Sequence, residues 1–152
     1  MTDPAESRFV YVTYIRTTPQ ALWSALLNPE FMRRYWLGMY AEADWRVGGD
    51  WKLLFPDGRV ADAGEIVEFE PDKRMGIHWR NEFRAEIKAE GWSLCTMEIE
   101  SVEDAVKLTV THAIAREDSQ FIKAVSGGWP QILSNLKSLL ETGAVVLTRH
   151  VG

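Results

Sequence analysis

His112 is the titratable side chain whose setting most invites a chemical role. It follows Val110 at an alternate position of a β-rich segment, which predicts that both side chains point inward. A buried imidazole serves either as a neutral core residue with one hydrogen-bond partner, or as a polar anchor or general base for a ligand. The neighbouring strand offers Cys95, Met97 and Ile99 on the same face, and none of them is a useful partner for acid–base chemistry. We therefore predict no catalytic residue; whether the protein is an enzyme stays open, and a non-catalytic role is favoured.

The other reactive side chains form no known catalytic or metal-binding pattern. His78, His112 and His150 are far apart, and the sequence has neither a Cys-x-x-Cys nor a His-x-x-x-His motif. We predict no metal and no cofactor. Alternation divides the acidic residues of one strand between its two faces, so a solvated strand is expected there. Within it, Asp62 would orient a ligand only if it faced the interior.

Tryptophan is the residue type that best fits a binding site, because indoles make large apolar walls. Trp129 shares a helical stripe with Val125 and Leu133, which is compatible with core packing and with closing one end of a cavity. Trp79 shares its strand face with Ile77. The residues predicted to line a ligand cavity are Trp36, Trp51, Leu53, Trp79, Met97, Val110, His112, Val125, Trp129 and Leu133.

Net charge, hydropathy and cysteine content limit the classes of partner and the compartment that we expect for this protein. The net charge of −5 gives no basic field that would attract nucleic acid. No apolar run is long enough to enter a membrane, and the N-terminal segment does not resemble a signal peptide. The single cysteine, Cys95, suits a reducing compartment, so we expect a cytoplasmic protein. The length of 152 residues predicts one domain, residues 1–152.

The elements that must position these side chains follow from periodicity and turn signals. Residues 8–16 predict a strand, and Thr17 or Thr18 begins a helix that Asn28 and Pro29 end, before a second short helical turn. Later segments alternate between apolar and polar residues and are separated by short turns, which favours an antiparallel meander. The predicted strands lie near 39–47, 50–56, 60–70, 74–82, 93–102 and 105–114.

A long amphipathic helix closes the sequence. Because Pro130 belongs in a first turn, we predict a start at Ser126 to Gly128, with Ser126 as the candidate cap. Residues 118–125 would form a separate short helical segment, or one joined through a kink. Gly127 and Gly128 would allow a close backbone approach beside Trp129, and Gly143 would end the helix.

This order of elements predicts an α+β fold of the helix-grip type. A curved antiparallel sheet of about six to seven strands would wrap around the C-terminal helix, with two short helices after the first strand. The arrangement leaves a space between the helix, the sheet and the short helices.

Three segments carry a resemblance to a known family: "TPQALWSALLNPEFMRRYW", "GEIVEFEPDKRMGIHW" and "GGWPQILSNLKSLLETG". In this order they resemble the SRPBCC, or START-like, superfamily, and within it the branch related to the activator of the heat-shock-protein ATPase. The resemblance implies a helix-grip domain with a hydrophobic cavity, where relatives bind lipids, polyketides or other apolar molecules. The superfamily also includes cyclases, hydrolases and a chaperone activator, so fold alone does not select a function.

Three functional hypotheses follow. The first is non-catalytic binding of a small hydrophobic or aromatic molecule in the cavity. The second is a cyclase or aromatase acting on a polyketide-like substrate, which requires a polar cluster around His112. The third is a protein-interaction module, either a chaperone cofactor or a homodimer, which requires an exposed apolar patch such as the first strand.

Overall fold

The computed structural model describes residues 5–152 and shows strands and helices in nearly the predicted order. The strands are β1 (Ser7–Ile15), β2 (Tyr40–Ala43), β3 (Asp50–Leu54), β4 (Val60–Glu70), β5 (Arg74–Asn81), β6 (Ser93–Val102) and β7 (Ala105–Ile114). The helices are α1 (Pro19–Leu27), α2 (Pro29–Tyr35), α3 (Ala85–Lys88) and α4 (Gln120–Thr142).

The seven strands form one antiparallel sheet in the order β1-β7-β6-β5-β4-β3-β2. From β2 onward each strand pairs with the next one along the chain, as the short turns predict. Along β7 every second side chain is buried, from Val106 to Ile114, and those between are partly exposed. The buried face curves around α4, which confirms the predicted α+β helix-grip fold.

The two short helices begin where the sequence predicts them. The Thr18 hydroxyl accepts a hydrogen bond from the Ala21 N–H at 3.1 Å, and Asn28 Oδ1 accepts one from the Phe31 N–H at 3.2 Å. These caps satisfy backbone donors that have no partner inside the helix. Trp36 directly follows α2 and is buried against the interior of the sheet.

The long helix α4 begins earlier than predicted. The predicted start near Ser126 is wrong, because one continuous helix runs from Gln120 to Thr142 and includes the segment expected to be separate. Pro130 lies inside it, where it cannot donate a backbone hydrogen bond. The predicted end is confirmed, since Gly143 follows with a φ of 84° in the left-handed region.

A contact between distant parts of the chain explains the early start. The Ser119 hydroxyl accepts from the Ile122 N–H at 3.1 Å, and the Glu90 carboxylate accepts from the Ser119 hydroxyl at 2.5 Å. Glu90 also accepts from the backbone N–H groups of Gln120 and Phe121, at 2.9 and 3.3 Å. Partial burial raises the pKa of Glu90, but these hydrogen bonds outweigh it and leave the pKa below its usual value. A carboxylate at this end also complements the helix dipole.

The capping carboxylate is delivered by α3, which the sequence analysis did not predict. This helix has four residues and one buried side chain, Ile87, so it is too short to show a helical period. It ends just before Glu90 and leads the chain past the start of α4.

The segment after α4 folds back along the helix and is held by a buried amide. Asn135 is fully buried, and its Oδ1 accepts from the N–H groups of Val146 and Leu147 at 2.9 and 2.8 Å. Its Nδ2 donates to the carbonyls of Leu147 and Tyr35 at 2.9 and 3.3 Å. Nearer the end, the exposed Gln131 side chain exchanges two hydrogen bonds with the backbone of Val151. The two amides hold the segment against the second half of α4.

Asn135→Ala is expected to lower the free energy of unfolding by about 3 kcal/mol, because it removes the four hydrogen bonds of a fully buried amide. Gln131→Ala is the matched control, since it removes an exposed amide from the same segment and is expected to cost less than about 1 kcal/mol. Urea denaturation of the two variants measures the difference. Equal losses would show that burial of the Asn135 amide does not set the cost.

Candidate functional site

A cavity of about 510 Å³ lies between the sheet, the first half of α4 and the segment that follows α2. It is partly open to solvent. Most of its wall is apolar, and the side chains that form this part include Trp36, Met39, Leu53, Phe55, Trp79, Phe121, Val125, Trp129 and Ile132. The predicted space behind the long helix therefore holds a hollow of small-molecule size.

The structure brings half of the predicted lining residues to this cavity. Those in its wall are Trp36, Leu53, Trp79, Val125 and Trp129. The other predicted residues are buried in the core and do not line it: Trp51, Met97, Val110, His112 and Leu133. They share the inner face of the sheet or the inner stripe of α4, but other side chains cover them.

Four indoles pack together at the closed end of the cavity: Trp36, Trp51, Trp79 and Trp129, here called the indole cluster. The ring centroid of Trp79 lies 4.4 Å from that of Trp51, 5.9 Å from that of Trp129 and 6.2 Å from that of Trp36. Trp36 meets Trp129 edge-on at 5.2 Å. Such tilted and edge-on contacts are the favourable geometry for aromatic rings. Each indole therefore limits the rotation of the next.

His112 holds one indole of the cluster directly, and through Ser93 it holds the backbone of a second member, Trp79. The Trp129 Nε1–H donates to His112 Nδ1 at 3.2 Å, and His112 Nε2 lies 2.9 Å from the Ser93 hydroxyl. Because Nδ1 accepts, a neutral imidazole carries its proton on Nε2 and donates it to Ser93. The Ser93 hydroxyl then donates to the carbonyl of Trp79 at 2.8 Å. This chain of three hydrogen bonds, here called the His112 chain, leaves neither ring nitrogen free.

The protonation state of His112 agrees with this geometry. Burial lowers its pKa to about 3, so the ring is neutral near pH 7. Phe121 covers the imidazole edge-on at 5.0 Å between ring centroids, and Trp79 lies at the same distance. His112 therefore lies behind the cavity wall, where it holds Trp129 in position, and it does not face the cavity. The expected inward orientation is present, and the hydrogen-bond partners are Trp129 and Ser93.

Asp62 is the polar side chain of the wall to which the sequence analysis gave little weight. It is only 6% exposed, and its Oδ1 accepts from Asn81 Nδ2 at 3.3 Å. Burial raises its pKa to about 7, although the Trp79 indole N–H and Asn81 lower it in part. Alternation with the buried Ile66 was the available signal, since residues four apart on a strand share a face. An irregularity between Ile66 and Glu68 breaks the alternation further along β4.

Two polar atoms in this part of the wall, one of them on Asp62 itself, have no hydrogen-bond partner within residues 5–152. The Trp79 Nε1 is buried and makes no hydrogen bond with residues 5–152, although it lies close enough to lower the pKa of Asp62. The second carboxyl oxygen, Asp62 Oδ2, receives no hydrogen bond from the described residues either. Asp62 pairs across the sheet with Asn81, two residues beyond Trp79, so the two groups are diagonal neighbours on one face. An unpaired donor and an unpaired acceptor therefore lie side by side in the wall.

Cationic side chains stand at the mouth of the cavity. Arg84 follows β5, and Arg149 is brought there by the folded-back segment that Asn135 holds. The Arg84 guanidinium pairs with Glu86 at 3.0 Å on the exposed surface. The sequence does not indicate that these two arginines meet at the mouth, because the position of Arg149 depends on the path of the chain after α4.

The glycines beside Trp129 have a different role from the one predicted. A Cβ atom added at Gly127 or Gly128 would meet no atom within 4 Å, so neither glycine is required by a close backbone approach. Gly128 lines the cavity, whereas Gly127 is exposed and does not. The missing side chain at Gly128 leaves space that the cavity occupies.

Within residues 5–152, no group of three or more His, Cys, Asp or Glu side chains is arranged to hold a metal ion. No helix in that range is long and apolar enough to cross a membrane. Cys95 is fully buried, and burial raises the pKa of its thiol.

Asp62→Asn is expected to gain stability relative to the wild type as the pH rises. Folding raises the pKa of Asp62 from 3.8 to about 7, so its protonated form contributes stability that is fully present below pH 3.8 and is lost progressively as the pH rises through about 7. Above that, the wild type carries a buried charge that the amide of the variant does not. The shift corresponds to at most about 4 kcal/mol, at about 1.4 kcal/mol per pKa unit. Urea denaturation near pH 4 and pH 8 measures it, and a constant difference between the two proteins would contradict the buried carboxyl.

Comparisons with known proteins agree with this geometry. The model of the family described as "Activator of Hsp90 ATPase homolog 1-like protein" matches residues 16–141. No curated protein matches the chain. The crystal structure of MLL2253 from Mesorhizobium loti has a TM-score of 0.76 at 21% identity, over 89% of this chain and 97% of that one.

Two further solved structures are similar over most of the chain. The solution structure of the Aha1 dimer from Colwellia psychrerythraea has a TM-score of 0.71 at 18% identity, over 90% of this chain and 98% of that one. The crystal structure of PFC0360w, an HSP90 activator from Plasmodium falciparum, has a TM-score of 0.71 at 25% identity, over 88% and 96%. These likenesses establish the fold, and the family match spans most of the sequence. The chain therefore belongs to the activator of Hsp90 ATPase homolog 1-like family, within the START-like superfamily, as its three sequence segments indicate.

Proposed function

We propose that the protein binds a small hydrophobic or aromatic molecule in the cavity beside α4, without transforming it. The observation that carries the proposal is the hollow of about 510 Å³ that remains although the interior is rich in tryptophan. Small-molecule sites typically enclose ~300–1,000 Å³ and are lined mainly by apolar and aromatic groups with a few polar ones. The cavity wall has this composition.

The driving force would be the removal of apolar surface from water, at about 25 cal/mol per Å². The ligand would also contact the faces and edges of indoles that are already held in place. The protein's own ring contacts and hydrogen bonds hold the indole cluster and the His112 chain in place, so binding would not have to order them. A preformed wall supports affinity for a rigid, flat molecule.

The proposal assigns no reaction to the cavity. His112 has no free ring nitrogen, and Cys95 is buried outside the lining. The carboxyl of Asp62 lies in the wall with its pKa raised to about 7, and neither a serine nor a cysteine is among the lining residues. Binding is therefore favoured over the cyclase alternative, which requires a reactive cluster around His112.

The cavity test uses two neighbouring glycines. Gly128→Leu is expected to place a side chain in the cavity and weaken binding of an apolar probe such as naphthalene by about tenfold or more. Gly127→Leu is the matched control, because the same change on the exposed side of the same turn leaves the cavity unchanged. Calorimetric titration measures both. If the wild type shows no saturable binding, or if both variants bind equally well, the proposal fails.

A second candidate is self-association through β1. This strand lies at one edge of the sheet, and Val10, Val12 and Tyr14 on its outer side are 50%, 44% and 51% exposed. Edge strands with exposed apolar side chains are prone to pair with another chain. The similar structure from Colwellia psychrerythraea is described as a dimer. We propose that this chain forms a homodimer through its β1 edge.

Val12→Lys is expected to convert that dimer to a monomer, because it places a charge at the centre of the exposed strip. Light scattering coupled to size exclusion measures the mass of both proteins. A wild type that is already monomeric, or a Val12→Lys variant that stays dimeric, would exclude β1 as the interface.

We also propose that residues 1–152 act as one domain and that the protein resides in the cytoplasm. The second statement rests on the single cysteine, which is buried and unpaired, as suits a reducing compartment.

A further inference from the structure

The interior of the protein contains two polar sites of opposite character. In the His112 chain, both ring nitrogens and the Ser93 hydroxyl have partners. In the cavity wall, the Trp79 Nε1–H has none, and Asp62 has one oxygen bonded to Asn81 and one without a bond from residues 5–152. Native structures pair nearly all buried polar groups, so a buried indole N–H without a partner, beside a carboxyl group that lines the cavity, needs an explanation.

A single ligand atom would satisfy both groups. A hydroxyl oxygen accepts one hydrogen bond and donates another, so it would accept from Trp79 Nε1–H and donate to Asp62 Oδ2. An ether or ketone oxygen only accepts, and would leave the ionised carboxylate of Asp62 unpaired. An ammonium group only donates, and would leave the indole N–H unpaired. A ligand carboxylate would face the carboxyl of Asp62.

The residues around Asp62 and Trp79 determine which kind of ligand fits beside the hydroxyl. The neighbouring wall consists of the rings of Trp36, Trp79 and Trp129, whose centroids lie 5.2 to 6.2 Å apart. Flat aromatic rings complement such a wall through edge and face contacts. Arg84 and Arg149 at the mouth also disfavour a cationic ligand.

We propose that the cavity is selective for a phenol, that is, an aromatic ring whose hydroxyl bridges the Trp79 N–H and the Asp62 carboxyl. The inference rests on the proposed function, because it names the chemical class of the molecule that the cavity binds. It assigns Asp62 and Trp79 as the residues that determine specificity. A site built around a hydroxyl rejects the analogue that lacks the donor, because its own polar groups then stay unpaired.

The experiment compares 2-naphthol with its methyl ether, 2-methoxynaphthalene, by calorimetric titration near pH 8, where the Asp62 carboxyl is mostly ionised and 2-naphthol is mostly uncharged. The two probes share the ring system, but the ether cannot donate to Asp62. The wild type is expected to bind 2-naphthol at least about tenfold more tightly than the ether. In Asp62→Leu and in Trp79→Phe the preference is expected to fall to about twofold or less, while the affinity for the ether stays within about threefold of the wild type.

The control is Asp104→Asn, which changes an exposed carboxylate in the turn between β6 and β7 and should keep the full preference. A wild type that binds both probes equally overturns the phenol inference and leaves the binding proposal standing. A wild type that binds neither probe overturns both. Retention of the preference in Asp62→Leu and Trp79→Phe would also overturn the inference. The unchanged affinity for the ether shows that each variant keeps a folded cavity.

Discussion

The buried His112 chain is the interaction on which the rest of the site depends. Through it, Trp129 on α4 is tied to Ser93 on β6 and to the backbone of Trp79 on β5. Four elements, β5, β6, β7 and α4, therefore meet at one point of the core. Buried polar groups destabilise a protein when they lose their partners, so an indole that left this arrangement would leave a donor or an acceptor unpaired. The hydrogen bond to His112 therefore holds the large indole of Trp129 in the cavity wall, where it does not fill the cavity.

In the same core, one pair of neighbouring polar groups does not make all of its possible hydrogen bonds within residues 5–152. Asp62 and the Trp79 N–H lie within the wall with unused hydrogen-bonding capacity, and burial keeps the carboxyl near the middle of its titration at neutral pH. Such an arrangement lowers the stability of the empty protein and raises the value of a ligand that completes it. Structural and recognition roles are thus divided between neighbouring residues: His112 works through its protein partners, and Asp62 faces the space they keep open.

Local patterns predicted much of the fold, because they report which face of an element is buried. Alternation placed His112 and Val110 on the inner face, and the turn residues predicted the meander. Periodicity shows that two residues share a face, but it does not show how far along that face a cavity extends. Leu133 and Val125 share a face of α4, yet Leu133 lies in the core and Val125 lies in the cavity wall. The start of α4 was missed because the Glu90 carboxylate that caps it comes from a different part of the chain. The partners of His112 and the exceptional position of Asp62 likewise depend on contacts between elements, to which periodicity is blind.

The most direct test of the central claim is a long-range nitrogen–proton NMR experiment on the His112 ring. The His112 chain predicts a neutral imidazole protonated on Nε2, unchanged as the pH falls from about 8 to about 5, because burial lowers its pKa to about 3. In the protein unfolded by urea, the same ring should titrate near its usual value of about 6.5. A folded-state ring protonated on Nδ1, or charged at pH 5, would contradict the hydrogen bond from Trp129. It would remove the physical reason for the cavity to stay open.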